Sequence, residues 1–206
     1  MYTMKRAAIL ARLLLCACLL MPGISTAQQT LLVMGDSLSA AFGIPREAGW
    51  VNLLQAELQG THPTYQIINA SVSGETTSGA MRRLPALLRQ HRPAVVILEL
   101  GANDGLRGTP TQEIESNLRE LIRQSQKAGA KVLLLGMQLP PNYGGHYTVR
   151  FKTLYARLAK KQQAALVPFF LEGVTSEQFQ ADQLHPDASA QETLLRNVLP
   201  ALLPLL

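Results

Sequence analysis

Short apolar runs alternate along the chain with segments of helical periodicity. Five of the runs are nearly continuous rather than alternating, which is typical of strands buried on both faces of a parallel sheet. The third run is broken only by Glu99. The predicted strands span residues 30–34, 65–68, 94–100, 131–135 and 165–169.

Five other segments place apolar residues on one face of a helix, and we interpret these stripes as core packing. In the second, Pro85 predicts a helix that is irregular or starts late. In the third, Thr109 is the expected N-cap, with Pro110 as the first helical residue and Gln112 completing a capping box. The stripes are Trp50, Val51, Leu54 and Leu58; Met81, Leu84 and Leu88; Ile114, Leu118, Leu121 and Ile122; Phe151, Leu154, Tyr155 and Leu158; and Leu194, Leu195, Val198, Leu199 and Leu202.

Strands that alternate with helices indicate an α/β fold. The pattern predicts a three-layer α/β/α sandwich around a five-stranded parallel sheet. No repeat, linker or low-complexity tract divides the segment after residue 27, so residues 28–206 are expected to form one domain.

The first 27 residues have the pattern of a secretory signal peptide. Lys5 and Arg6 precede an apolar stretch over residues 7–21, in which Arg12 is the only charge, and small residues at 25–27 suit a signal peptidase. A membrane anchor is the alternative, but this stretch is shorter than the roughly 20 apolar residues that a span requires. We therefore predict export to the periplasm or the outside of the cell.

Both cysteines of the chain, Cys16 and Cys18, lie in this leader. The segment over residues 15–18 also loosely resembles a lipoprotein cleavage box, which is a second alternative to simple cleavage. A mature chain that starts at Gln28 has 179 residues and no cysteine. Thiol catalysis and disulfide bonds are then excluded.

The leader also explains most of the formal charge of +5. Its three basic residues have no acidic partner, which leaves 16 basic and 14 acidic residues in the remainder. Because no run of five like charges occurs, we expect no nucleic-acid partner. The chain has no His-Glu-x-x-His or Cys-x-x-Cys spacing, so we expect no metal and no cofactor.

Polar segments follow four of the predicted strands. Ligand sites of open parallel sheets lie beyond the carboxyl ends of the strands, so these segments are expected to meet. A loop after the first strand could instead cradle a phosphate, but it lacks the glycine patterns of such loops. The segments are Gly-Asp-Ser-Leu-Ser at 35–39, Asn-Ala-Ser-Val-Ser-Gly at 69–74, Gly-Ala-Asn-Asp-Gly at 101–105 and Asp-Gln-Leu-His-Pro at 182–186.

Their residue types suit acyl transfer through a serine nucleophile. Ser37 needs a base and the base needs an orienting group, for which His185 and Asp182 are the candidates. The backbone N–H groups of Ser37 and Gly74 and the side-chain amide of Asn103 are candidate donors to a tetrahedral oxyanion. Asp104 is the rival for the acid, because it follows Asn103 directly. The Gly-x-Ser-x-Gly elbow of α/β-hydrolases is absent.

These blocks resemble those of the SGNH or GDSL hydrolases. The resemblance covers essentially the whole segment 28–206 and is strongest to the periplasmic thioesterase I and lysophospholipase group of Gram-negative bacteria. It implies a flavodoxin-like fold, a Ser37–His185–Asp182 triad, and an oxyanion hole from Ser37, Gly74 and Asn103. It also implies esterase, arylesterase, thioesterase or lysophospholipase activity on small-molecule acyl substrates. We expect a monomer that makes transient contact with membrane lipid.

Some positions depart from the family pattern. Ala102 and Gln183 stand where glycine is frequent, and Glu75 stands where aspartate is common. Two functional alternatives remain open, a carbohydrate O-acetylesterase of the same superfamily and a lipid-binding protein without catalysis. Asp36 is expected to support its own loop, whereas the partners of the buried Glu99 cannot be named from the sequence.

Overall fold

A computed structural model describes residues 28–206, so the predicted leader over residues 1–27 lies outside the described residues. The described part contains one sheet in which every pair of neighbours is parallel, in the order β2-β1-β3-β4-β5. The predicted five-stranded parallel sheet is therefore confirmed. The strands are β1 Gln29–Gly35, β2 Tyr65–Asn69, β3 Val95–Glu99, β4 Lys131–Leu135 and β5 Ala165–Val167.

The helices form two groups that enclose this sheet as a three-layer sandwich. α1 packs on α6 in one group, and α4 packs on both α2 and α5 in the other. Among residues 28–206, no helix is both long and apolar enough to cross a membrane. The helices are α1 Trp50–Thr61, α2 Thr77–His91, α3 Ala102–Leu106, α4 Thr111–Lys127, α5 Gly145–Gln162 and α6 Gln191–Leu202.

The core consists of the sheet's side chains and the predicted helical stripes. Strands β1 and β3 lie at the centre of the sheet, and β3 is buried along its whole length. Trp50, Phe151 and Tyr155 are among the largest fully buried side chains. Gly35 pairs with Glu99 where β1 and β3 end. The segments that follow these two strands therefore start side by side.

The structure corrects four details of the predicted elements. Helix α4 begins at Thr111, and its N-cap Pro110 has extended backbone angles, so Thr109 caps nothing. Instead, the Thr109 N–H donates to the Asp104 carbonyl and holds the chain to the preceding turn. Helix α2 starts at Thr77 and continues through Pro85, so it does not start late.

The other two corrections concern short elements. The segment after β3 contains the one-turn helix α3, which is too short to show a helical period in the sequence. Strand β5 ends at Val167 and not at residue 169, because Pro168 has no N–H to continue the hydrogen-bond ladder.

Candidate active site

The chain leaves β1 through a tight turn that carries Ser37. Asp36 stabilises this turn as expected, since its Oδ1 accepts the Leu38 N–H at 3.0 Å. The Phe42 N–H donates to the Ser37 carbonyl at 3.1 Å. Leu38 is buried beneath the turn, while Ser37 is only partly buried. Asp36 and Leu38 on either side are thus buried, while the Ser37 hydroxyl is accessible from the cavity.

A chain of hydrogen bonds joins Ser37 to His185 and Asp182. Ser37 Oγ lies 2.9 Å from His185 Nε2, and His185 Nδ1 lies 2.7 Å from Asp182 Oδ2. Two ring nitrogens of one histidine thus connect a hydroxyl and a carboxylate that are far apart in sequence. The hydroxyl can lose its proton to Nε2 while Nδ1–H stays bound to the carboxylate.

The loop that carries Asp182 and His185 is held by its own backbone. Asp182 Oδ1 accepts the N–H groups of Leu184 at 2.9 Å and His185 at 3.0 Å. Phe179 and Pro186 form a β-bridge at the base of the loop. The bonds from the His185 N–H, the His185 ring and the Leu184 N–H lower the pKa of Asp182 to about 2. Its carboxylate therefore stays ionised at neutral pH and can stabilise a charged His185 ring.

The candidate oxyanion donors line the same cavity as Ser37 and His185. Gly74 has a φ of +76°, and the nearest atom to a Cβ there would be Arg107 Nη2 at 3.8 Å. Glycine is thus needed for the backbone conformation rather than for space. Within residues 28–206, the N–H groups of Ser37 and Gly74 have no acceptor. Asn103 Nδ2 donates one hydrogen to Asp36 Oδ2 at 3.0 Å, which leaves its second hydrogen for another acceptor.

Asp104 has a different environment from Asp182. It is buried, and its two oxygens accept the Thr77 N–H at 2.9 Å and the Thr77 hydroxyl at 2.6 Å. Asn117 Nδ2 donates to the same hydroxyl. Asp104 therefore connects α3 to the start of α2, and its carboxylate forms no hydrogen bond with His185 in the described residues.

Two further carboxyl groups, Asp36 and Glu99, are buried behind the Ser37 turn. Burial raises the pKa of Asp36 to about 6, although the Leu38 N–H, the Glu99 carboxyl, His185 and the Asn103 amide act in the opposite direction. Burial, together with the adjacent Asp36 charge, raises the pKa of Glu99 well above its usual range. Both shifts favour a pair that carries a proton over a pair that is fully ionised.

The cavity in front of Ser37 has a volume of about 590 Å³. The sequence patterns did not identify its walls, because apolar side chains in loops have no periodicity or motif that marks them as pocket residues. The ring of Phe42 also packs against the His185 ring, with centroids 4.5 Å apart. The apolar walls of the cavity come from Leu38, Phe42, Leu106, Met137, Leu139, Pro140, Phe169, Leu171, Phe179 and Leu184.

Two of the three positions that depart from the family pattern line this cavity. Ala102 and Gln183 are part of its lining, and Gln183 adopts a left-handed φ of 54°, a conformation that favours glycine. Glu75 is buried and forms an ion pair with Arg83. Within residues 28–206, no three His, Cys, Asp or Glu side chains converge as metal ligands.

Comparison with known proteins agrees with this geometry. Residues 33–192 match the model of the GDSL-like lipase/acylhydrolase family, which is most of the chain. The chain belongs to this family. The resemblance noted in the sequence is therefore confirmed.

The family member esterase TesA of Pseudomonas aeruginosa is 50% identical over 193 residues, which cover 93% of this chain and 96% of that protein. The arylesterase of Vibrio mimicus is 46% identical over 169 residues, or 81% and 84% of the two chains. Thioesterase 1/protease 1/lysophospholipase L1 of Escherichia coli is 42% identical over 169 residues, or 81% and 80%. Esters and thioesters are thus named among the substrates of these relatives.

Solved structures show the same architecture. The crystal structure of TesA superposes with a TM-score of 0.84 at 51% identity and covers 86% of this chain and all of that one. The esterase EstA from Pseudoalteromonas sp., inhibited by monoethylphosphonate, superposes with a TM-score of 0.81 at 41% identity over 85% and 97% of the chains. This chain is an ester hydrolase with an SGNH-type α/β fold.

Proposed function

We propose that this chain is an exported serine ester hydrolase that cleaves acyl esters and thioesters through an acyl-enzyme intermediate. The observation that carries the proposal is the continuous hydrogen-bond chain from Ser37 Oγ through the His185 ring to Asp182 Oδ2. This chain opens into a cavity whose walls are mainly apolar. A nucleophile, its base and a place for an acyl chain thus lie together.

In the proposed reaction, Ser37 Oγ attacks the acyl carbon and its proton moves to His185 Nε2. Asp182 stabilises the resulting imidazolium, because its carboxylate is ionised and bound to Nδ1. The N–H groups of Ser37 and Gly74 and the free Nδ2 hydrogen of Asn103 bind the oxyanion. The leaving alcohol or thiol takes the proton from His185. Water, deprotonated by His185, then attacks the acyl carbon. The bond from that carbon to Ser37 Oγ breaks, the acid leaves, and Ser37 Oγ takes the proton back from His185.

The substrate class follows from the cavity. A volume of about 590 Å³ with apolar walls accommodates more than an acetyl group. Aryl esters, acyl thioesters and lysophospholipids share an acyl chain and differ in the leaving group, which would lie outside this pocket. The names of the relatives include all three activities, which supports a site that accepts substrates with different leaving groups.

The remaining proposals concern export and assembly. Residues 1–27 act as a signal peptide, so the mature enzyme works in the periplasm or outside the cell. We expect the enzyme to act as a monomer, since all five candidate site residues belong to one chain and the site needs no residue from a second copy. Contact with membrane lipid is transient and serves the acquisition of lysophospholipid.

The proposal is tested with a series of p-nitrophenyl esters from acetyl to palmitoyl. We expect kcat/KM to rise beyond acetyl, because each additional methylene that is buried contributes about 0.8 kcal/mol until the cavity is full. Ser37→Ala should lower kcat by about 10⁴-fold or more. Ser116→Ala, which replaces an exposed serine of α4, is the matched control and should behave as wild type.

Other results would contradict this assignment. A maximum at the acetyl ester would indicate an O-acetylesterase. Binding of long acyl chains with no turnover would indicate a lipid-binding protein. Turnover that survives Ser37→Ala would exclude Ser37 as the nucleophile.

A further inference from the structure

Glu99, the last residue of β3, lies beneath the turn that carries Ser37 and has no exposed surface. Its Oε2 accepts the Asp36 N–H at 3.2 Å and the Ser39 hydroxyl at 2.8 Å. The Ser39 oxygen in turn accepts the Trp50 Nε1–H at 3.3 Å. One buried oxygen thus holds the residues on both sides of Ser37.

The packing around Gly35 shows how closely these groups approach. A Cβ at Gly35 would lie 2.7 Å from Ser39 Cβ and 2.9 Å from Glu99 Oε2. Both distances are shorter than a nonbonded contact permits. Only glycine at the end of β1 therefore allows the Glu99 carboxyl to reach the turn.

The two oxygens of Glu99 differ in their partners. Oε2 accepts two hydrogen bonds, whereas Oε1 is buried and receives no donor from residues 28–206. In the neighbouring Asp36, each oxygen accepts one N–H, from Leu38 and from Asn103. Two adjacent buried carboxylates repel each other, so one of them keeps a proton. Each Asp36 oxygen receives a donor, whereas Glu99 Oε1 receives none, so ionisation costs less at Asp36 and the proton stays on Glu99.

The charged and titratable groups nearby agree with this assignment. The Glu99 carboxyl and the charge of His185 both lower the pKa of Asp36. The Asp36 charge raises the pKa of Glu99. Tyr155 of α5 donates to the Leu100 carbonyl at 3.0 Å, and its burial, together with the nearby Glu99, Asp104 and Asp36 carboxyls, raises its pKa well above the usual range.

We infer that Glu99 is a positioning residue that acts in its protonated form: it holds the Ser37 turn through Asp36 and Ser39, and it holds the Asn103 amide through the Asp36 carboxylate. This inference rests on the proposed roles of Ser37 and Asn103. Glu99 is absent from the cavity walls, so it acts only through these neighbours. Small displacements of a nucleophile or of an oxyanion donor have large effects on rate, of the order of 10²-fold for about 1 Å.

The test compares Glu99→Gln with Glu99→Leu in the full-length chain. Glutamine reproduces the neutral carboxyl, since its oxygen can accept from the Asp36 N–H and the Ser39 hydroxyl while its NH₂ group takes the place of a protonated Oε1. We expect Glu99→Gln to keep kcat within about fivefold of wild type, and Glu99→Leu to lower kcat by about 50-fold or more with little change in KM. Equal losses in the two variants would overturn the inference, because Glu99 would then act as an anion. A kcat unchanged in Glu99→Leu would also overturn it.

The pH dependence of unfolding gives a second readout that does not depend on catalysis. A buried acid with a raised pKa keeps its proton in the folded state after the unfolded chain has lost it, so wild-type stability falls as the pH rises above the pKa of the unfolded chain. Urea unfolding between pH 5 and pH 8 should therefore show that the free energy of unfolding of wild type falls, relative to that of Glu99→Gln, as the pH rises. A difference that is constant over this range would contradict a protonated Glu99. Loss of activity in Ser37→Ala is measured in parallel, so that failure of this inference is distinguished from failure of the proposed function.

Discussion

At the scale of single residues, two carboxylates near the site have opposite surroundings. Asp182 is 42% exposed in its side chain, and its low pKa results from the hydrogen bonds of the Leu184 and His185 N–H groups and the His185 ring. Asp104 is buried and is satisfied by Thr77. Both were candidates for the acid of the triad, and it is Asp182 that forms a hydrogen bond with the His185 ring. Their substitutions should therefore affect different properties.

Asp182→Asn is expected to lower kcat by about 10³-fold or more, because an amide cannot stabilise the imidazolium and can favour the wrong ring tautomer. Asp104→Asn should instead lower the free energy of unfolding by about 1–3 kcal/mol, since its NH₂ group faces the Thr77 donors. Steady-state kinetics and urea denaturation of both variants measure the two effects. Equal losses of kcat, or a larger loss in Asp104→Asn, would refute the assignment of Asp182.

The candidate polar residues could be predicted because each one follows a strand and has a recognisable chemistry. Ser37, Asp182 and His185 are joined by hydrogen bonds, and Gly74 and Asn103 line the same cavity. The contact of Phe42 with His185 and the bonds around Glu99 could not be predicted in this way. They depend on the distance between β1 and β3 and on the packing of distant loops, which no local pattern encodes.

At the scale of elements, periodicity predicted the long helices well and the short ones poorly. The stripe of α4 is fully buried, as expected from its spacing. The one-turn helix α3 was missed, and the start of α4 was assigned one residue early because Pro110 can occupy either a first helical position or an extended N-cap. Helix ends therefore depend on the backbone angles of single residues.

The buried stripe of α4 allows a test of stability apart from catalysis. Leu118→Ala should lower the free energy of unfolding by about 2–5 kcal/mol, because it leaves a cavity between α4 and its neighbours. The folded variant should keep its kcat, since Leu118 does not line the cavity in front of Ser37. Lys127→Ala, at an exposed position of the same helix, is the control and should change stability by less than about 0.5 kcal/mol. A stability of Leu118→Ala equal to that of the control would contradict the packing described here.

At the scale of the whole molecule, the formal charge and the cysteines are features of the predicted leader. Without residues 1–27, the chain has a net charge of +2 and no thiol. The described residues form a complete α/β sandwich on their own. The mature enzyme is therefore expected to fold and to act without the leader.

This expectation is tested by expressing the full chain in a Gram-negative host and sequencing the N-terminus of the product in the periplasmic fraction. The product should begin at Gln28, with 179 residues and no reaction with a thiol reagent. A full-length chain retained in the membrane would support the anchor instead. A lipid attached at Cys16 or Cys18 would support the lipoprotein alternative.

The central claim is that Ser37 is the nucleophile of a serine ester hydrolase, and covalent labelling tests it most directly. The enzyme is treated with a fluorophosphonate, and the modified residue is located by tandem mass spectrometry of its peptides. A single adduct on Ser37, with parallel loss of esterase activity and no adduct in Ser37→Ala, is the predicted result. An adduct on another residue, or labelling of Ser37→Ala to the same extent as wild type, would contradict the claim.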